Sequence, residues 1–518
     1  MTKTGQRTGP APAAGMSSRR RWTAVVVLSA SLLMLTMDMT ILNIALPEMA
    51  AELHPTSDEQ LWIVDVYSLV LAGLLVSFAT IGDRWGRKRM LLLGYVIFGV
   101  ASLLVVFTTT AEAVIAIRAL LGLGGAMIMP TTLSLIRVIF TDPAERARAL
   151  SVWAAVSGLG AAVGPLVGGV LLEHFSWHAA FLINVPLIAI AVVAGLAVLP
   201  ESRVRATGRW DALAAVLSLV GMTALVWGIK QFGKEATLAL PEAWVAITLA
   251  AVALTWFGVR SIRSRHPLLE MRLFRDRTFS AGMVAALGTT FSMVAALLLL
   301  AQWLQLVRGV SPIQAGLLLT PEALAAAVAA IAAPPLSRVF GARAVLATGL
   351  ALAGLGMLLL GLGPGGDLDL PRVLTVLILV GAGTGSLAIG SAMIMLGSPE
   401  DKAGNAGALE ETSYELGAVL GVAILGSISA LIYRSQYVVD PALRAIDPAL
   451  AAQAEESLGA AVAISDQLAL PELATAASAA FTHSMQVASL TGGAIMLAVA
   501  ALVFLMTPKG TSVTGASH

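Results

Sequence analysis

The sequence predicts an all-α protein whose helices cross a membrane fourteen times, as two six-helix bundles with an extra pair of helices between them. Three observations lead there. The 518 residues are 58% hydrophobic and only 12% charged, with a mean hydropathy of +0.86, far more apolar than a soluble domain, whose apolar share is roughly half. Apolar runs of roughly 19 to 26 residues, each able to cross about 30 Å of hydrocarbon, recur along the whole chain. The loop after the second run, Asp83-Arg84-Trp85-Gly86-Arg87, has a degraded echo after the tenth, Arg338-Val339-Phe340-Gly341-Ala342-Arg343. A six-plus-six parallel repeat with runs 7 and 8 inserted would put it there.

Residues 1–21, rich in Gly, Pro and Ala, are expected to be disordered and cytoplasmic. Arg19, Arg20 and Arg21 before an apolar run imitate a signal peptide, but the run is too long and no small-residue cleavage site follows, so it is expected to stay as the first helix. The runs fall near 22–46, 61–81, 90–108, 113–136, 148–172, 178–199, 211–231, 242–259, 279–305, 313–334, 343–362, 372–396, 405–433 and 483–506. Residues 22–199 then form the first bundle, 200–278 a linker carrying the two extra helices and a basic loop, 279–507 the second bundle and 508–518 a tail. Asp142-Pro143-Ala144-Glu145, Ser311-Pro312 and Ser398-Pro399-Glu400-Asp401 each set a capping side chain before a proline, which starts a helix. Segment 434–482, punctuated by Asp440-Pro441, Asp447-Pro448 and Leu470-Pro471, suggests a small helical hairpin outside the membrane.

Basic residues cluster in alternate loops, as at Arg84, Arg87, Lys88 and Arg89; Arg137, Arg146 and Arg148; Arg203, Arg205 and Arg209; Arg260, Arg263 and Arg265; Arg338 and Arg343; Lys402; and Lys509. The intervening loops are acidic or nearly neutral, with Glu48, Glu52, Asp58 and Glu59 in one and Asp367 and Asp369 in another. The positive-inside bias therefore places both termini in the cytoplasm, as an even number of spans also requires. The net charge of +1 argues neither for nor against a nucleic-acid partner, but the basic residues sit in short loops and form no separate basic domain, so none is expected. With no cysteine there is no disulfide, thiolate metal site or redox dithiol. His174 and His178 lack a third ligand, so no metal is expected. Gly228-Ile229-Lys230-Gln231-Phe232-Gly233-Lys234 imitates a phosphate-binding loop, but Glu235 replaces the hydroxyl residue and the stretch ends a membrane helix. Neither a catalytic site nor a cofactor is expected.

The informative residues are acids inside apolar runs. Asp38 lies well within the first, where an ionised carboxylate costs about 2.5 to 3.5 kcal/mol even on lenient insertion scales and so calls for a polar partner, a wet cavity or a proton. Asp65 lies about one turn inside the second, beside Trp62 and Tyr67. The thirteenth carries Glu410, Glu411, Tyr414 and Glu415. A start at Ser398 would put Glu410 and Glu415 about 18 and 25 Å along the helix, where dipole stabilisation has died away. Glu411 and Glu415 share a face while Glu410 lies about 100° round, so at most two of the three point together. Like charges that close cannot all stay ionised in low dielectric, which makes them candidate proton carriers. Arg118, deep in the fourth run, needs acceptors. In the fifth, Gly160, Gly164, Pro165, Gly168 and Gly169 form a smooth face for close helix approach with a proline that permits a bend. Asp83 can face a helix N-terminus and an arginine, so the loop of Asp83, Arg84, Gly86 and Arg87 can serve as a breakable latch.

That loop resembles the signature loop of the major facilitator superfamily, and the full GxxxGPxxGG spacing of Gly160 to Gly169 resembles the motif of its antiporters. Asp38-Met39-Thr40-Ile41-Leu42-Asn43, Leu61-Trp62-Ile63-Val64-Asp65, Phe181-Leu182-Ile183-Asn184-Val185-Pro186 and Gly404-Asn405-Ala406 with Glu410-Glu411 resemble the QacA-type fourteen-helix drug:proton antiporters. The resemblance implies two six-helix bundles plus two helices, and cation sites at Asp38, Asp65, Glu410, Glu411 and Glu415. It departs at Ala79, where the family usually has glycine, at Glu415, which replaces an aspartate, and in helix 10, where the acid of QacA-type proteins matches Ala326, with Glu322 four residues earlier on the same face. The expected function is export of lipophilic organic cations in exchange for protons, by a monomer in the inner membrane of a bacterium, with Trp62, Trp153 and Tyr414 as aromatic contacts. A proton-coupled uptake carrier or a membrane sensor are the alternatives; radiolabelled nutrient accumulation and drug resistance in a sensitive host would separate them.

Overall fold

The computed structural model describes residues 16–203, 211–235, 239–264, 267, 269–362, 368–399, 403–439, 444 and 447–511. Residues 1–15, Arg205, Arg209, Arg265, Asp367, Glu400, Asp401, Lys402, Asp440-Pro441 and 512–518 lie outside them. The described residues are helical with short connections and no strand. The first bundle is α1 (Ser18–Leu53), α2 (Ser57–Trp85), α3 (Arg87–Leu104), α4 (Ala111–Ile139), α5 (Pro143–His174) and α6 (Ala179–Val198). The extra pair is α7 (Ala212–Glu235) and α8 (Pro241–Arg263). The second bundle begins with α9 (Arg277–Val307), α10 (Pro312–Phe340), α11 (Ala342–Gly361) and α12 (Leu370–Leu396). It continues with α13, which runs from Ala403–Gly421 through a π-turn at Val422–Gly426 to Ser427–Gln436. After a hairpin of α14 (Pro448–Glu456) and α15 (Leu458–Leu468), α16 (Pro471–Met506) closes the chain. Thirteen of these helices are long and apolar enough to cross a membrane, and α5 adds an apolar stretch at Gly158–His174, which makes the fourteen expected.

Helices overrun the apolar stretches wherever a cap lies further out. A reciprocal capping box of Thr56 and Glu59 starts α2, Asp142 starts α5, and Ser311 with Gln314 starts α10. Four expected boundaries need correction. α1 already begins at Ser18, capped by Ser17, so Ser18–Arg21, expected to be disordered, are helical. α1 continues through Pro47 to an αL cap at His54, since neighbouring helices tolerate one missing N–H. α16 begins at Pro471, twelve residues before its apolar run, because nothing between breaks the helix. The described part of α13 begins at Ala403, so Glu410 and Glu415 stand about 10 and 18 Å along it.

The two bundles repeat the same pairings: α1 packs on α5 as α9 does on α13, α2 on α4 as α10 on α12, and α3 on α6 as α11 on α16. The loop echo is its local counterpart. Gly86 joins α2 to α3 at φ +128° and Gly341 joins α10 to α11 at φ +83°, both in the region that favours glycine. The pair α7 and α8 lies outside both bundles, with α7 against α2 and the last part of α13.

The bundles meet mainly through α5 with α10 and α2 with α13. On the side away from the termini they are sewn together. Ser311 hydrogen-bonds Glu173 at 3.3 Å, Gln305 donates to the Ile44 carbonyl at 3.2 Å, and Ser57 reaches the Glu456 carbonyl. The expected outer hairpin packs there as a plug, with Ala451, Ala454, Leu458 and Ala461 buried and the Tyr433 hydroxyl donating to Ala454 at 3.1 Å.

Candidate functional site

Asp38 and Arg118 answer each other's burial. Arg118 Nη1 donates to Asp38 Oδ2 at 3.0 Å, Asn184 Nδ2 donates to Oδ1 at 2.7 Å, and Arg118 Nε donates to the Ile63 carbonyl at 3.1 Å. The guanidinium also lies 4.6 Å from the centroid of the Tyr67 ring. Both charged side chains are 2% exposed. An acid expected to line a chamber is therefore engaged inside the first bundle. Asn184, buried at the start of Asn184–Val198, completes it.

Asp65 is likewise closed off. Lys230 Nζ of α7 sits 2.9 Å from Asp65 Oδ2 and 4.2 Å from the Trp62 ring centroid. The Trp62 face expected for a guest cation thus already holds one. The phosphate-loop imitation lies wholly within α7, and Lys230 itself carried the signal that Asp38 did: a lone charge in an apolar run needs a partner.

The acids of α13 diverge, as their spacing requires. Glu410 turns into the second bundle, where the Tyr414 hydroxyl donates to it at 2.8 Å and Ser391 of α12 also hydrogen-bonds it. Tyr414 is thus a partner of an acid. Glu415 lies toward α2, within electrostatic reach of Ser68, Arg118 and Tyr67. Glu411 faces a cavity of about 270 Å³ between α2, α4, α5 and α13, with Trp153, Asp83, Arg87 and Arg137 in its wall. Trp153 Nε1 donates to Thr132 at 3.1 Å, which fixes the indole. Glu322 is buried on α10, with the Thr384 hydroxyl of α12 3.3 Å away. Thr384 and Ser391 had no signal in the sequence, since a hydroxyl in a membrane helix usually bonds its own backbone.

The latch residues pair with one another and with the end of α6. Arg87 Nε donates to Asp83 Oδ1 at 2.7 Å and Arg87 Nη1 to the Ser202 hydroxyl at 3.2 Å, while Arg84 takes no part in the pair. A side chain on Gly86 would collide with Glu201. In α5, a Cβ on Gly160 would strike Thr36 and the Leu33 carbonyl, on Gly164 it would strike Thr40, and on Gly168 it would lie 3.2 Å from Ile41. Those three face α1, whereas Gly169 faces Pro312 and Ile313, and Gly316 of α10 abuts the Pro165 carbonyl. The motif thus holds α5 against α1 within the bundle and against α10 across the interface.

Residues 28–305 and 278–452 match the Major Facilitator Superfamily. The chain belongs to that superfamily. It is 38% identical to the multidrug efflux pump LfrA of Mycolicibacterium smegmatis, over 95% of this chain and 97% of that protein. It is 34% identical to the methyl viologen resistance protein SmvA of Salmonella typhimurium, over 93% and 97%. A third relative is the tetracenomycin C resistance and export protein of Streptomyces glaucescens, 31% identical over 81% and 78%. The fold matches the crystal structure of a bacterial homologue of the human lysosomal transporter Spinster at a TM-score of 0.67, with 16% identity over 95% of this chain and 98% of that one. The chain is accordingly a multi-pass membrane transporter of the drug-efflux type and not an enzyme.

Proposed function

We propose that this transporter exports lipophilic organic cations from the cytoplasm in exchange for protons, as a monomer in the bacterial inner membrane with both termini inside. One observation carries the reading. Glu322, Glu410, Glu411 and Glu415 form no ion pair among the described residues, although each lies within a membrane helix. An acid at that depth is at rest only with a proton or a cation on it, and the two compete. The names of the relatives, among them resistance to methyl viologen, support an organic cation as the alternative occupant.

In the proposed cycle the cavity beside Glu411 opens to the cytoplasm while α5, α10 and the hairpin seal the other side. A flat cation enters against Trp153 and is matched by Glu411. Rocking of the bundles carries the site outward, where protons from the medium neutralise the acids and release the guest. Glu415 reports across the interface to the Arg118 and Asp38 pair, so its charge biases how the bundles meet. One proton per monovalent cation moves no net charge, and each pH unit then supports about a tenfold gradient, roughly 1.4 kcal/mol. Further protons would draw on the membrane potential, about 2.3 kcal/mol per charge per 100 mV. Greasy walls and a single charge discriminate little among large flat cations, which fits a broad substrate range.

The test is efflux of a cationic dye with simultaneous pH recording in proteoliposomes. Proton movement that follows dye movement, lost in Glu411→Gln, is the expected result; dye flux indifferent to a pH gradient would end the exchange reading.

A further inference from the structure

We propose that Lys230 is a built-in counter-cation that occupies the Asp65 carboxylate and the Trp62 face in place of a guest. Asp65 then fixes the extra helix pair to α2 and is withheld from the transport site. The inference rests on the export reading for the identity of the guest, while the pair itself stands on geometry.

Both side chains are 1% exposed, and the ammonium lies 2.9 Å from the carboxylate and 4.2 Å from the indole. Among the described residues no other polar group hydrogen-bonds either charge. Trp62 and Ile229, next to the pair, pack against an apolar cluster of Leu69, Ala72, Met222, Val226 and Ala423 contributed by α2, α7 and α13. A crevice of about 10 Å³, bordered by Asp58, Lys234, Arg434 and Glu456, reaches Lys230. Its enclosed part has room for about one water. Arg434 donates to the Gly233 carbonyl at 2.9 Å and Gly233 abuts Ser427, so α13 holds the end of α7 in place. A dye cation finds no vacancy beside Asp65, because Lys230 already holds both the buried carboxylate and the Trp62 face. The charge balance of this region is complete without a ligand, in contrast to the acids on α13.

Two measurements on the full chain decide it. In the purified parent protein, an amine-acetylating N-hydroxysuccinimide ester followed by mass spectrometry should modify Lys230 at least tenfold less than Lys234 and Lys509; comparable modification would overturn the seal, and no variant needs to fold. Asp65→Asn and Lys230→Gln should each lower dye efflux at least tenfold, and the double variant should recover to within threefold of the parent with an unchanged half-saturating dye concentration. A double variant no better than Asp65→Asn would show that this carboxylate serves transport directly. Failure of the export reading would look different, as parent proteoliposomes that move no dye while Lys230 stays protected.

Discussion

Asp38 and Glu411 are both acids in membrane helices, yet removing their charges should differ in its effect on stability. Asp38→Asn leaves the Arg118 guanidinium buried without its counter-ion, a change of the kind that costs about 3–5 kcal/mol when one partner of a buried pair is lost. It should abolish efflux and lower the unfolding temperature of the purified protein by several degrees. Glu411 faces a cavity and forms no ion pair among the described residues, so Glu411→Gln should abolish coupled efflux with an unchanged unfolding temperature. Thermal unfolding beside dye efflux checks both, and equal destabilisation by the two variants would contradict the distinction. Individual acids were legible in the sequence because any charge in an apolar run is anomalous. Their partners were not, because Asp38 and Arg118 are 80 residues apart and Asp65 and Lys230 lie on helices 2 and 7.

At the scale of the helix, small residues determine how closely neighbours approach. Gly164 leaves no room for a Cβ against Thr40, so Gly164→Leu should push α5 off α1 and reduce efflux more than tenfold, whereas Gly158→Ala, where open space surrounds the position, should have no effect. A resistance assay in a sensitive host, with expression checked in the membrane, reads both. Outside the membrane, Asp211 caps the start of α7 through the Ala214 N–H at 3.1 Å and binds Arg260 of α8 at 2.7 Å. Burial alone would raise its carboxyl, but the Arg260 hydrogen bond, the Ala214 N–H and the Arg260 charge outweigh it and hold the group below the usual aspartate value. The stabilisation is therefore present at neutral pH and lost as acidification passes that lowered value. Asp211→Asn should lower the unfolding temperature at pH 7 and cost nothing further in strong acid, where the native carboxylate is protonated too. Caps of this kind were legible in sequence at Asp142 and Ser311, since a short side chain before a proline is a local signal, whereas Asp211 acts through a helix 49 residues away.

For the molecule as a whole, the closed side opposite the termini is the mechanical statement of the structure. Glu173 and Ser311 meet there across the bundles, and the chain has no cysteine of its own. With cysteines at these two positions, a short thiol-reactive crosslinker should stop dye efflux from proteoliposomes while equilibrium dye binding persists, because the termini-side cavity stays accessible. Unimpeded efflux by the crosslinked protein would contradict rocking about that contact. The alternation of loop charge, the number of spans, the repeat and the glycine face were all determined by the sequence alone. Hydropathy and backbone conformation are local properties, and a bilayer enforces them span by span. Which acids are neutralised internally and which are left unpaired was decided only by the tertiary structure, because a charge in low dielectric is governed by its nearest neighbours in space, and those come from helices far apart along the chain.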